Sequence, residues 1–114
     1  MRIILSNCPP DKADEIASRL VEERCAACVN AIPGVRSTYR WKGKVERDPE
    51  TTLLVKTAAG ALDRCVARLR ELHPYEVPEI VVLAPDVGAS FAPYVEWVRE
   101  ETAAAPTRTS SPPR

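Results

Sequence analysis

The stretch from Cys28 to Thr57, CVNAIPGVRSTYRWKGKVERDPETTLLVKT, constrains this chain more than any other. Val35, Ser37, Tyr39 and Trp41 alternate with Arg36, Thr38, Arg40 and Lys42. Successive strand residues point to opposite faces, so the pattern predicts a strand with one covered face and one basic face. Lys42-Gly43 supplies a turn in which Gly43 is free to take positive φ. The return arm runs from Lys44 into the apolar run Leu53-Leu54-Val55. Together they predict one β-hairpin whose arms of about 12 residues reach roughly 40 Å. A domain of about 100 residues has a radius of gyration near 13 Å, so such arms overhang their own core. An overhanging ribbon with an apolar face invites pairing with another copy. Val35, Tyr39, Trp41, Leu53 and Val55 are the expected interface residues. Bends or bulges at Pro33-Gly34 and Asp48-Pro49 would instead fold the ribbon back onto its own domain. Both arrangements remain open at this point.

With 114 residues the chain makes one domain with a modest core. Lys plus Arg and Asp plus Glu number 16 each, so the formal net charge is zero and the pI is near 6.6. Without a basic excess, nucleic acid and anionic membrane are not expected partners. No apolar run has the length of a membrane span. Ile3-Ile4-Leu5 is too short for a signal-peptide core, which predicts a cytoplasmic protein with reduced thiols.

Before the hairpin, Arg2 to Cys8 predicts a first strand ended by Pro9-Pro10. Asp11 is placed to cap a helix, with Asp14 three residues on. Ala13, Ile16, Ala17, Leu20 and Val21 form the apolar stripe of that helix, which reaches Arg24 or Cys25. After the hairpin, Thr57 is expected to cap a second helix striped by Leu62, Cys65, Val66, Leu69 and Leu72 and stopped by His73-Pro74. Glu79 to Ala84 then predicts a fourth strand, apolar throughout and therefore central. Phe91, Tyr94, Val95 and Val98 mark a last helix, with Pro93 in its first turn. From Ala103 large apolar residues disappear, which predicts a disordered tail over 103–114. The order βα-ββ-αβ-α is an α+β, ferredoxin-like βαββαβ sandwich with a long central hairpin and an added C-terminal helix.

Cys25-Ala26-Ala27-Cys28 is a CxxC, but it falls where a helix ends and a strand begins. A redox CxxC sits at a helix N-terminus, and a structural zinc needs a second knuckle, so small buried side chains are the expected role. His73, the only histidine, either caps helix-end carbonyls or joins a metal shell completed by a neighbouring Glu or Cys. Glu76 and Glu79 flank Pro78 as a carboxylate pair. Glu46, Asp48 and Glu50 alternate along the return arm as a solvated face would. Tyr39, Trp41 and Tyr75 either line a ligand pocket or pack across strands. There is no P-loop, no dinucleotide fingerprint, no HExxH and no nucleophile–base pair. The residues by themselves describe a small oligomeric α+β module that is not an enzyme.

Several of these segments together resemble the CutA family of divalent-cation tolerance proteins. They are Pro10-Asp11, Ala26 to Asn30, Ile32 to Lys44, Leu54 to Thr57, His73 to Glu79 and Pro93 to Trp97, and they span residues 1 to 102. The resemblance implies a homotrimer with interlocked hairpins, a PII-like architecture, a link to copper and other divalent cations, and no established catalysis. His73 matches the family's suspected metal-binding histidine, while Leu72 stands where some members have a second one. The cysteine that some members carry at the end of the first strand aligns with Asn7, beside Cys8. The expected protein is therefore a CutA-like domain over 1–102, a metal-tolerance homotrimer that binds divalent ions. His73 is the expected ligand, assisted by Cys8, Glu76 and Glu79. Cu(II) or another divalent cation is the expected ion, and none is required for the fold. The alternative is a PII-like trimeric small-molecule sensor or interaction module using intersubunit clefts near Tyr75 and Trp41.

Overall fold

Strand β1 (Arg2–Cys8) sends Ile4, Ser6 and Cys8 to one face of a sheet and Ile3, Leu5 and Asn7 to the other. We describe it from a computed structural model covering residues 1–103; the tail expected beyond Ala103 lies outside the described residues. Helix α1 (Ala13–Glu22) follows through a 3-10 turn over Pro10–Lys12. That turn, closed by Lys12 N–H donating to Pro9 O at 3.0 Å, replaces the side-chain cap expected of Asp11. Arg24, with φ at +58°, reverses the chain after α1.

The hairpin has the predicted ends. Strand β2 (Cys28–Trp41) and strand β3 (Lys44–Thr57) pair antiparallel along their length. Lys42 and Gly43 both have positive φ, +49° and +82°, the two-residue turn that suits strand twist. β1 pairs with β3 only from Thr51 to Thr57, so Lys44 to Glu50 and their β2 partners overhang the sheet as predicted. The molecule is accordingly elongated, 49 × 28 × 25 Å, with a radius of gyration of 15.1 Å.

A bulge interrupts the hairpin. Ile32 pairs with Thr52 and Val35 with Glu50, so β2 carries one extra residue at Pro33-Gly34. Val29 and Ala31 lie opposite Val55 and Leu53 on the helix-covered face. Beyond the bulge Val35, Ser37, Tyr39 and Trp41 lie opposite Glu50, Asp48, Glu46 and Lys44, on the other face. Asp48-Pro49, by contrast, stays in register.

Helix α2 (Leu62–Leu72) is preceded by a 3-10 turn over Ala59–Ala61, so Thr57 does not cap it. Thr57 is fully buried, and its hydroxyl donates to the Cys25 carbonyl at 2.7 Å. Strand β4 (Val81–Leu83) closes the sheet in the order β2-β3-β1-β4, all neighbours antiparallel. β4 is therefore an edge strand, not a central one, and its three residues are exposed. Its apolar run lies at the sheet's margin, outside the cover of this chain's own helices. Helix α3 (Ala92–Glu101) is tied to the ends of the other helices. Arg24 donates to Glu101 O and Arg64 to Thr102 O.

α1 and α2 cover one face only, enclosing Ile4, Ile16, Leu20, Leu53, Val55 and Leu69. Each such side chain contributes about 1.5–3 kcal/mol by leaving water. Leu53 and Val55, expected at an oligomer interface, are fully buried in this core and offer no surface to another copy. The opposite face, with Ile3, Leu5, Ile32, Val35, Leu54, Val81 and Leu83, is covered by neither α1 nor α2.

Candidate functional site

Asn7, the outermost β1 residue on the helix-free face, organises the site. Its carbonyl accepts from His73 Nε2 at 2.8 Å. Its side-chain Nδ2 donates to Glu79 Oε1 at 2.8 Å, and its Oδ1 accepts from the Thr52 hydroxyl at 2.6 Å. One residue thus joins β1, β3, the end of α2 and the connector before β4.

His73 ends α2 with an extended backbone and is buried. Its Nδ1 accepts from the Tyr75 backbone N–H at 3.2 Å. With Nε2 against a carbonyl and Nδ1 against an N–H, the ring is neutral with its proton on Nε2, and both nitrogens are engaged. The Tyr75 ring lies 4.7 Å from the His73 ring. Its hydroxyl donates to Glu50 Oε2 at 2.8 Å. Burial and the Glu50 carboxylate push the Tyr75 phenol well above its ordinary range. Glu50 is only 8% exposed, because it sits where the overhanging arm meets the sheet.

Asn7, Glu50 and Tyr75 border an open cleft of about 670 Å³ on the helix-free side. The bulge turns Tyr39 and Trp41 into its wall, and Glu76 and Glu79 complete it from the connector. Its size is that of a small-molecule site. Tyr39 donates to Asp48, which holds its phenol up at about 12.

The four expected metal ligands do not converge. Cys8 is fully buried on the helix-covered face, whereas Asn7 and its partner Glu79 belong to the other. Burial, then the charges of Glu50 and Asp11, pushes the Cys8 thiol up to about 11, disfavouring the thiolate a metal would need. Glu76 and Glu79 share the cleft, but the nitrogens of His73 are turned to Asn7 and Tyr75. Among the described residues no three His, Cys, Asp or Glu side chains stand together as a metal site. A single subunit in this arrangement does not fit a metal at His73. Cys25 and Cys28 are both free thiols, Cys25 buried in the core with its pKa raised by burial, as packing residues would be.

Asn7 and Glu50 are the site residues that sequence reasoning missed. Asn7 acts partly through its backbone, which leaves no trace in residue type. Glu50 shares its alternation with the exposed Asp48, and only its place at the sheet's edge distinguishes it.

A family model described as CutA1 divalent ion tolerance protein matches residues 2–101. The chain belongs to the CutA1 family. It is 46% identical over 101 residues to the divalent-cation tolerance protein CutA of Thermus thermophilus, covering 88% of this chain and 96% of that one. It is 46% identical over 96 residues to human protein CutA, covering 83% of this chain and 52% of the human protein. The chain therefore spans nearly all of the bacterial CutA but about half of the human one. Among solved structures, the PII-like protein CutA from Nostoc sp. PCC 7120 in apo form superposes with a TM-score of 0.88 at 45% identity, covering 92% of this chain and all of that one. CutA relatives carry compartment labels as different as chloroplastic in Arabidopsis thaliana and periplasmic in Archaeoglobus fulgidus. In this CutA1 chain no helix among the described residues is long and apolar enough to cross a membrane.

Proposed function

We propose that this CutA-family chain serves divalent-cation tolerance as a non-catalytic cytoplasmic homotrimer. It works by taking a ligand in the cleft beside Tyr75 rather than by chelating a metal at His73. The observation that carries this is the division of labour between neighbours. Both ring nitrogens of His73 are engaged inside the subunit, while the cleft next to it stands open. The homotrimer is supported by the helix-free sheet face and the exposed β4 edge, apolar surfaces that a second and third copy would cover. Of the expected interface residues, Val35 remains suited to that role, Tyr39 and Trp41 line the cleft at the margin of that face, and Leu53 and Val55 lie in the core. The PII-like description of the Nostoc relative fits a protein that senses a ligand at the junction of subunits.

Light scattering and a thermal-shift panel of metabolites and ions on the purified protein test this. A trimeric mass and a ligand-dependent shift abolished by cleft substitutions are expected; a monomeric mass or a flat panel would overturn it.

Direct binding of Cu(II) or another divalent cation is a second reading, favoured by the presence of Glu76 and Glu79 in the same cleft. It requires the His73 ring to leave Asn7, or residues from a second subunit. Titrating reduced protein with Cu(II) against a competing chelator separates the two. Saturable binding that weakens in His73→Ala supports direct chelation, and binding unchanged in the variant supports the cleft.

A further inference from the structure

Three hydrogen-bond donors of the cleft are engaged by carboxylates of the same chain. Tyr75 donates to Glu50, Tyr39 to Asp48, and Asn7 to Glu79. Carboxylate oxygens and aromatic rings line the opening together with the Ser37 and Thr38 hydroxyls and the Trp41 N–H. Glu50, Glu76 and Glu79 line the cleft, and no Lys, Arg or His does so among the described residues. None of the three makes an ion pair among those residues, although Glu50 is nine-tenths buried. A carboxylate held away from water without a counter-charge is costly, and a cation seated beside it removes that cost. Tyr39 and Tyr75 offer rings that attract cations through the negative face of the π system, as the Trp41 ring already does for the Lys42 ammonium at 5.7 Å.

The ligand's charge and size both follow. A nucleotide or organic acid would meet three carboxylates, with the Lys42 ammonium, 5.7 Å from the Trp41 ring, set to the side of the aromatic wall. A bare metal ion would find no three ligating side chains together. A cleft of about 670 Å³ suits a larger molecule whose charged ends reach separate carboxylates. We propose that the cleft binds a small organic cation, an alkylammonium or guanidinium compound, between the Glu50–Glu76–Glu79 carboxylates and the aromatic wall. This rests on the proposal that the cleft is the ligand site.

Calorimetric titration of the assembled protein with 1,4-diaminobutane and agmatine, and in parallel with ATP and with MgCl₂ alone, tests it. Saturable binding of a diamine or guanidinium probe is expected, weakening as NaCl is raised. Loss of one charge-assisted hydrogen bond should weaken it at least about tenfold in Glu79→Gln. Glu76→Gln, at an exposed position, should weaken it without disturbing the fold, which circular dichroism would check. No saturable binding of either organic cation, or binding unchanged in both variants, overturns the proposal. Binding of ATP that is weakened by Tyr75→Ala would overturn the choice of a cation while keeping the cleft as the ligand site. Failure of every probe would count against both.

Discussion

His73 Nε2 donates to the backbone carbonyl of Asn7 across 2.8 Å, locking the end of α2 to the end of β1. The bond is partly buried and replaces contacts that both groups would otherwise make with water. His73→Ala leaves that carbonyl and the Tyr75 N–H short of partners and opens a cavity. A loss of about 2 kcal/mol is expected from urea denaturation. Cu(II) affinity in the same variant should stay as in the parent protein.

Alkaline stability follows from the thiols and phenols. Burial raises Cys8 from 9.0 to about 11 and Cys65 to about 12. Tyr75 is raised as well. A group whose folded pKa exceeds its unfolded value stabilises fully below the unfolded pKa and loses that contribution as pH rises through the folded one. Under reducing conditions the urea midpoint should therefore hold up to about pH 9 and fall between about pH 9 and 12. Cys8→Ala should flatten the first part of that fall. At pH 8 a thiol reagent should modify the partly exposed Cys28 in native protein and reach Cys8 and Cys65 only on unfolding.

Neighbouring leucines of β3 should behave differently because they face opposite sides of the sheet. Leu53→Ala removes a fully buried core side chain and should cost about 2–5 kcal/mol while the oligomer persists. Leu54→Asp places a charge on the helix-free face and should leave each subunit folded but shift the assembly to monomer. Light scattering beside circular dichroism reads both.

Lys42 occupies the left-handed region at φ +49°, a conformation that asparagine adopts more readily than lysine. Lys42→Asn should raise stability by a few tenths of a kcal/mol to about 1 kcal/mol. Gly43→Val, at φ +82°, should lower it by more. Thermal melts of the two variants check the pair.

Much of the fold is legible because hairpin ends and helix stripes are local properties. Alternation from Val35 to Trp41 and the Lys42-Gly43 turn locate the hairpin and its overhang without any knowledge of packing. The family follows from the distinctive runs through Ile32–Lys44 and His73–Glu79. β4 misleads for a physical reason: a continuous apolar run marks a strand that something covers, but not whether the cover belongs to the same chain. Leu53 and Val55 are the reverse case, apolar hairpin residues whose cover is their own helices. The metal set fails because His73 and Glu76 are neighbours in sequence while the ring turns toward Asn7, a direction no spacing rule contains. Alternation does separate Asn7 from Cys8, since adjacent strand residues cannot share a face, and the structure keeps them apart.

The extra residue at Pro33-Gly34 makes β2 two reading frames in one strand. Odd-numbered residues before it serve the core, and odd-numbered residues after it serve the cleft. Deleting one residue there would restore one-to-one pairing opposite Thr51 and leave Tyr39 and Trp41 opposite Glu46 and Lys44, on the face they already occupy. What the extra residue supplies is a local bend and added twist where the overhang leaves the sheet, not the choice of face. The length of β2 at this point therefore sets how the ribbon leans over its sheet while the chemistry of its wall stays with the residues beyond it.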